Sequence, residues 1–239
     1  MVYKWLDIVH AAWPARCLLC AGTAPRGRDL CGDCAADLPT NGYACQRCAL
    51  PLGGGGGLSG ECGGCRSRPP PFDALVAPYR YAPPLHTLIA ELKFGGRLAA
   101  GRVMADLLAD ALVDRVVPDL IVPLPLHPRR LARRGFNQAA ELAARLSRRL
   151  DCPAAFAGLQ RRRDTSAQAA LDRRARRRNL AGAFVWAGER PPPARVALVD
   201  DVVTTGSTAS AAARALRRAG ANWIEVWAVA RTPNRRSDG

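Results

Sequence analysis

Lysine is almost missing from this chain. Of 35 basic residues in 239, only Lys4 and Lys93 are lysines, and the remainder are arginines. Neither follows a glycine, so the Gly-Lys-Ser/Thr core of a nucleotide-binding P-loop is excluded. Aromatic residues are scarce too, at 6%. That points to an aliphatic core and argues against a dedicated single-strand binder, which stacks bases on aromatic platforms. No apolar run reaches the ~18 residues of a membrane helix. The opening segment, MVYKWLDIVHAAWPARC, is interrupted by Asp7 and His10 and lacks the apolar stretch of a secretory leader. It reads as a short amphipathic helix with Trp5, Ile8, Val9 and Trp13 partly buried, and the expected location is cytoplasmic. The length suffices for one full α/β domain plus a small module.

What the chain does have is most concentrated at residues 196–208, VALVDDVVTTGST. Val196 to Val199 make a short buried strand. Asp200 and Asp201 follow, then Thr204, Thr205, Gly206, Ser207 and Thr208, and then an Ala-rich helical stretch. A strand that turns through hydroxyls and glycine into a helix start is a phosphate cradle. Free backbone N–H groups and the positive end of the helix dipole face the anion. Carboxylates repel phosphate, so the acid pair faces something else: the hydroxyls of a ribose, or a Mg²⁺ bridging to it. The turn also lacks the Gly-x-Gly-x-x-Gly dinucleotide fingerprint. An ordinary helix cap would not require the acids and the hydroxyl cluster together. The string resembles the 5-phosphoribosyl-1-pyrophosphate (PRPP) motif of type I phosphoribosyltransferases.

Eight of the nine cysteines form four C-x-x-C pairs: Cys17/Cys20, Cys31/Cys34, Cys45/Cys48 and Cys62/Cys65. Two thiolates three residues apart on a tight knuckle reach one tetrahedral metal, and a second knuckle completes the site. The framework therefore predicts two structural Zn²⁺ ions. A redox dithiol would need one such pair, not four in tandem. Sequential and interleaved sharing of the metals are both compatible with the spacing. The glycine run 53–57 reads as a loop inside the second finger, and Cys152 as a small core residue. RSRPPP at 66–71 is a stiff linker, which sets the expected boundary between residues 1–70 and 71–239.

Net charge is +15, nearly all of it from arginine. Two stretches concentrate it, 128–149 and 161–178, and they fit either a polyanion partner or solvated helix faces. Beyond the linker, 72–81 reads as a short strand pair, 84–94 and 97–114 as helices, and 119–126 as a strand running into a Pro-rich loop. Residues 136–150 form an amphipathic helix and 223–230 a last strand. Strands alternating with helices argue for a parallel sheet.

Several segments carry a likeness to one family: the four cysteine pairs, LKFGGR at 92–97, PLPLHPRRLARRGFNQ at 123–138, RRDTSAQAALDRRARRRNLAGAF at 162–184, and VALVDDVVTTGST. Over nearly its whole length the chain resembles the ComF (ComFC/GntX-like) family of bacterial phosphoribosyltransferase-like proteins. The resemblance implies a type I phosphoribosyltransferase fold, a parallel sheet flanked by helices, preceded by a small Cys-rich double zinc ribbon. It implies that Pro125, Leu126, His127, Pro128 and Arg129 form the pyrophosphate loop. Residues 160–180 become a closing lid with Arg162 and Arg163 toward pyrophosphate, and residues 72–97 a hood over the acceptor. Asp200 and Asp201 would take the ribose hydroxyls with Mg²⁺, and Thr204 to Thr208 the 5-phosphate. Arg134 to Gln138 are a family signature without a derivable role, and His127 reads as a loop hydrogen-bonder rather than an acid or base.

The implied function is Mg²⁺-dependent phosphoribosyl transfer from PRPP, or binding of a ribose phosphate, in natural competence. The implied partners are incoming single-stranded DNA and proteins of the competence machinery. The alternative is a non-catalytic single-strand-handling protein whose pocket senses its ligand.

Overall fold

The computed structural model describes residues 15–52, 60–162 and 182–233. The expected N-terminal helix, the glycine run and most of the expected lid, including Arg163, lie outside these residues.

In the cysteine-rich part, α1 (Gly32–Ala36) and α2 (Gly63–Ser67) are single turns that begin inside C-x-x-C knuckles. The sheet region follows as β1 (Ala74–Val76), β2 (Tyr79–Arg80), α3 (Leu85–Gly95), α4 (Leu98–Asp110), β3 (Leu120–Pro123), α5 (Pro128–Arg134) and α6 (Gln138–Leu150). It continues as β4 (Leu159–Arg161), β5 (Phe184–Trp186), β6 (Arg195–Val203), α7 (Ser207–Ala219) and β7 (Trp223–Arg231). The main sheet runs in the order β1-β7-β6-β3, every pair parallel. No described helix is long and apolar enough to cross a membrane.

The two central strands are apolar along most of their length because both faces are covered, as a parallel sheet requires. One face presents Ala197, Val199, Trp227 and Val229 to α3, α4 and α6, where Leu88, Met104, Leu108 and Leu142 meet them. The other presents Val196, Leu198, Val226 and Ala228 to the alanines and Leu216 of α7. The cysteine-rich part joins both cores. Cys17, Ala24, Leu30 and Leu38 pack on the first face, and Ala49 packs on the second.

Residues 72–81 do not pair with each other as a strand pair would. β1 and β2 both lie parallel on β7, and they keep one register: Val76 opposite Trp227, Tyr79 opposite Ala230. Pro78 falls between them and has no N–H to give the ladder, which breaks one edge strand in two. The outer side of this edge is covered by the chain between the two ribbons. Arg80 N donates to Pro39 O at 2.8 Å and Asn41 N to Pro78 O at 2.7 Å.

The segment Arg134–Gln138 acquires a structural role. Gly135 ends α5 in the left-handed region at φ 82°. Asn137 then starts α6: its Oδ1 accepts from Ala139 N at 3.1 Å, while its Nδ2 donates to Leu124 O at 3.0 Å. One side chain thus caps a helix and ties it to the end of β3. Asn137→Ala should cost about 1–2 kcal/mol. A urea midpoint equal to that of the unmodified protein would show that the tie carries no load.

Candidate functional site

The acid pair lies within β6 just past the end of β3, with Asp200 opposite Ala228 and the strand running on to Val203, toward the carboxyl edge where α/β sheets bind ligands. Asp201 is 3% exposed, and Asp200 is partly covered. Burial, and then the charge of Asp201, push the Asp200 carboxyl well above the usual carboxylate range, with Lys93 pulling the other way. The Asp200 side chain accepts from the N–H of Asp201 at 2.9 Å. The turn that follows is as expected from sequence. Gly206 is left-handed, at φ 72°, and is the residue from which α7 starts. Thr205 and Ser207 share a hydroxyl–hydroxyl bond of 2.9 Å. Thr204 is exposed, while Thr205, Gly206, Ser207 and Thr208 are partly covered. No acidic side chain occupies the first turn of α7, so an anion at its N–H groups would meet no competing charge from that turn.

The loop after β3 lies beside this turn. β3 pairs with β6 as far as Pro123 opposite Val199, and Leu124 N donates to Val199 O at 2.9 Å. Pro125, Leu126, His127, Pro128 and Arg129 therefore leave the sheet next to Asp200. His127 is the cap of α5: its Nδ1 accepts from Arg129 N at 3.3 Å. Arg162 is the last residue of the expected lid's opening, 160–162, that the structure describes. Its N–H donates to Ala183 O at 2.9 Å, extending the antiparallel ladder of β4 with β5.

One residue of this corner was missed in sequence. Lys93, near the end of α3, places its ammonium on the buried Oδ2 of Asp201. The signal was its rarity: a lysine in a chain that otherwise uses arginine. Arg134 adds to the same corner. It lies over the Phe94 ring, 5.8 Å from the centroid, and donates to Gln138 Oε1 at 2.6 Å. Burial holds the Arg134 guanidinium below its usual range, and the Asp201 charge opposes that.

The cysteines settle into two groups in sequential order: Cys17, Cys20, Cys31 and Cys34, then Cys45, Cys48, Cys62 and Cys65. Within each, the four ligand atoms lie within 4.8 Å of one another. The Sγ atoms of Cys20 and Cys31 are 3.7 Å apart, as are those of Cys48 and Cys62. Zn–S bonds of about 2.3 Å in a tetrahedron put sulfurs about 3.8 Å apart, so both groups fit structural Zn²⁺. Crowding shows in the thiols. The neighbouring Cys31 side chain pushes Cys34 up, and burial pushes Cys65 up and Cys48 up to about 11. Cys152 is buried, with Sγ donating to Pro118 O at 3.1 Å, as a core residue.

Part of the basic stretch 128–149 is internally neutralised. Arg145 makes a two-pronged pair with Asp106 at 2.8 and 2.7 Å. Arg149 reaches Asp106 and Asp110. On α5, beside the loop, Arg129 and Arg133 are exposed and Arg130 is partly so, and Arg148 of α6 is exposed as well.

A family described as a double zinc ribbon domain matches residues 8–66, and one described as a phosphoribosyl transferase domain matches residues 131–238. The DNA utilization protein YhgH of Escherichia coli K12 is 39% identical over 227 residues, spanning 92% of this chain and 98% of that one. Competence protein F of Haemophilus influenzae is 36% identical over 225 residues, spanning 90% and 96%. Among solved structures, a purine phosphoribosyltransferase from Pyrococcus horikoshii aligns over 54% of this chain and 71% of its own, at 21% identity and a TM-score of 0.36. The chain belongs to the ComF family of phosphoribosyltransferase-like proteins with an N-terminal double zinc ribbon.

Proposed function

We propose that this protein binds PRPP and transfers its phosphoribosyl group to an acceptor in the handling of DNA taken up or utilised by the cell. One observation carries the reading. The acid pair and hydroxyl turn close β6 directly beside the loop that leaves β3. The names of the relatives in Escherichia coli and Haemophilus influenzae support the link to DNA utilization and competence.

In the transfer, the bond from ribose C1 to the pyrophosphate oxygen breaks and pyrophosphate leaves with the electron pair. The acceptor then bonds C1 and gives up its proton. The protein need not supply a nucleophile. Its task is to orient the sugar and balance the departing charge. Asp200 and Asp201 hold the 2- and 3-hydroxyls, and the N–H groups and hydroxyls of Thr204 to Thr208 hold the 5-phosphate. Arg129 and the lid arginines Arg162 and Arg163 meet the pyrophosphate. The acid pair also suits a Mg²⁺ shared with the substrate, because that ion takes one or two carboxylates plus phosphate oxygens. Lys93 already balances Asp201, so Asp200 is the carboxylate left for it. When bound, Mg²⁺ would neutralise pyrophosphate charge.

The second reading is single-strand DNA handling with the pocket as a sensor, and the outward arginines of α5 favour it. If it holds, single-strand affinity falls with salt at a slope of about −0.7 per phosphate neutralised. A flat response rejects it.

Calorimetry with Mg²⁺ and PRPP is expected to show saturable binding that is lost in the double variant Asp200→Asn/Asp201→Asn. No binding by the unmodified protein would overturn the proposal. Asp200→Asn alone should raise the Tm at neutral pH. The raised carboxyl pKa means that the folded state favours the protonated form, so ionisation costs stability as pH rises above the ordinary value of about 3.9. The advantage of the variant should shrink toward about pH 4, and a lower Tm at neutral pH would contradict it.

For the cysteine groups, two Zn²⁺ per chain are expected in the purified protein. Cys34, Cys48 and Cys65, held above the usual thiol range, keep protons until metal displaces them, whereas Cys17 and Cys45 are shifted down. Zinc loading of stripped protein should therefore release protons, and affinity should fall from about pH 8 to about pH 6. Loading without proton release would exclude thiolate ligation.

A further inference from the structure

Arg231, the last residue of β7, stands 6% exposed at the point where the second cysteine group meets the phosphate turn. Its Nε donates to Cys48 O at 2.9 Å. Its Nη1 donates to Val203 O at 3.1 Å, to Thr204 O, and to Thr232 O at 3.0 Å. A guanidinium is a rigid planar fork, so acceptors bound to it are fixed relative to each other. Two segments far apart in the chain are thereby held in one frame. One is the Cys45/Cys48 knuckle, and the other is the exit of β6 into the turn.

The effect on the turn follows from peptide geometry. In a planar trans peptide, C=O and N–H point in opposite directions. Holding the Thr204 carbonyl toward Arg231 turns the Thr205 N–H away from it. The same holds for the Val203 carbonyl and the Thr204 N–H. The clamp thus sets the direction of donors in the segment that would hold a phosphate. Beside it, a cleft of 320 Å³ separates the second cysteine group from the turn, and its lining includes Cys62, Gly64, Arg68, Gly206, Ser207 and Arg231. The first cysteine group stands elsewhere: Cys17 packs in the core on the opposite face of the sheet.

We infer that Arg231 is a positioning residue that couples the second cysteine group to the phosphate turn, so that metal in that group determines how firmly the turn is held for its ligand. The coupling to affinity rests on the reading of Thr204 to Thr208 as the phosphate site. The coupling to the turn's order does not.

The test uses the full zinc-loaded chain, with two readouts: amide hydrogen exchange across residues 203–208 and calorimetric PRPP binding. Arg231→Met and the pair Cys62→Ser/Cys65→Ser are each expected to speed exchange at 203–208, and to weaken PRPP, by about tenfold or more. Residues 196–199 should stay protected. Arg231→Lys keeps the charge but not the fork and should give a smaller change of the same sign. Cys17→Ser/Cys20→Ser should leave 203–208 unchanged. If Arg231→Met also exposes 196–199, it has unfolded, and Arg231→Lys decides. Unchanged exchange at 203–208 in Arg231→Lys and in a folded Arg231→Met overturns the inference, as does an equal response to the two cysteine pairs. If the unmodified protein binds no PRPP, the ribose-phosphate reading fails, while the exchange data still judge the clamp.

Discussion

The ladder between β6 and β7 is the constraint on which the rest of the molecule hangs. Both strands are nine residues long and are paired from Arg195 opposite Trp223 to Val203 opposite Arg231. Side chains alternate between two closed cores, so a slip of one residue would send Asp200 and Asp201 to the wrong faces. The register also puts Arg231 level with Val203, which is why one side chain at the end of β7 can reach the carbonyls of the turn. Helix packing, ribbon docking and the hydroxyl turn after β6 are all positioned from this pair.

The same ladder explains an electrostatic expense. Two adjacent carboxylates in a largely covered strand are unfavourable in the ligand-free protein, and they fall where β6 outruns the end of β3 while still paired with β7. Lys93 offsets one of them from a helix on the other side of the turn. Such a pairing is worth little as a source of stability, because both charges lose water. Its role is better understood as local charge balance at a site that would otherwise be strongly negative.

Legibility in the sequence followed the distance along the chain over which each feature is encoded. The turn at 204–208 was readable because its glycine, hydroxyls and acids are contiguous. The eight ligand cysteines were readable from their spacing, but their grouping was not. Only the fold of each knuckle pair selects sequential over interleaved sharing. The segment Arg134–Gln138 could be recognised but not explained, since the partner of Asn137 is Leu124, across a helix. Lys93 with Asp201 and Arg231 with Cys48 join residues more than a hundred positions apart, and no local pattern announces such contacts. Arg145 and Arg149 of α6 were ambiguous for the same reason: Asp106 and Asp110, which absorb them, lie on α4. The break at Pro78 was visible as a proline, yet which strand it interrupted depended on the sheet.

The chain between the two ribbons runs along β1 and β2, with Thr40 bridged to Tyr79 and the buried Asn41 donating to the carbonyls of Ala49 and Ala77. An exposed parallel edge would offer its unpaired N–H and C=O groups to any passing strand. The cysteine-rich module is therefore also a solubility device. By holding this short segment against the sheet margin, it closes a surface on which copies of the chain could otherwise polymerise. Colloidal behaviour and metal supply become linked properties of one molecule.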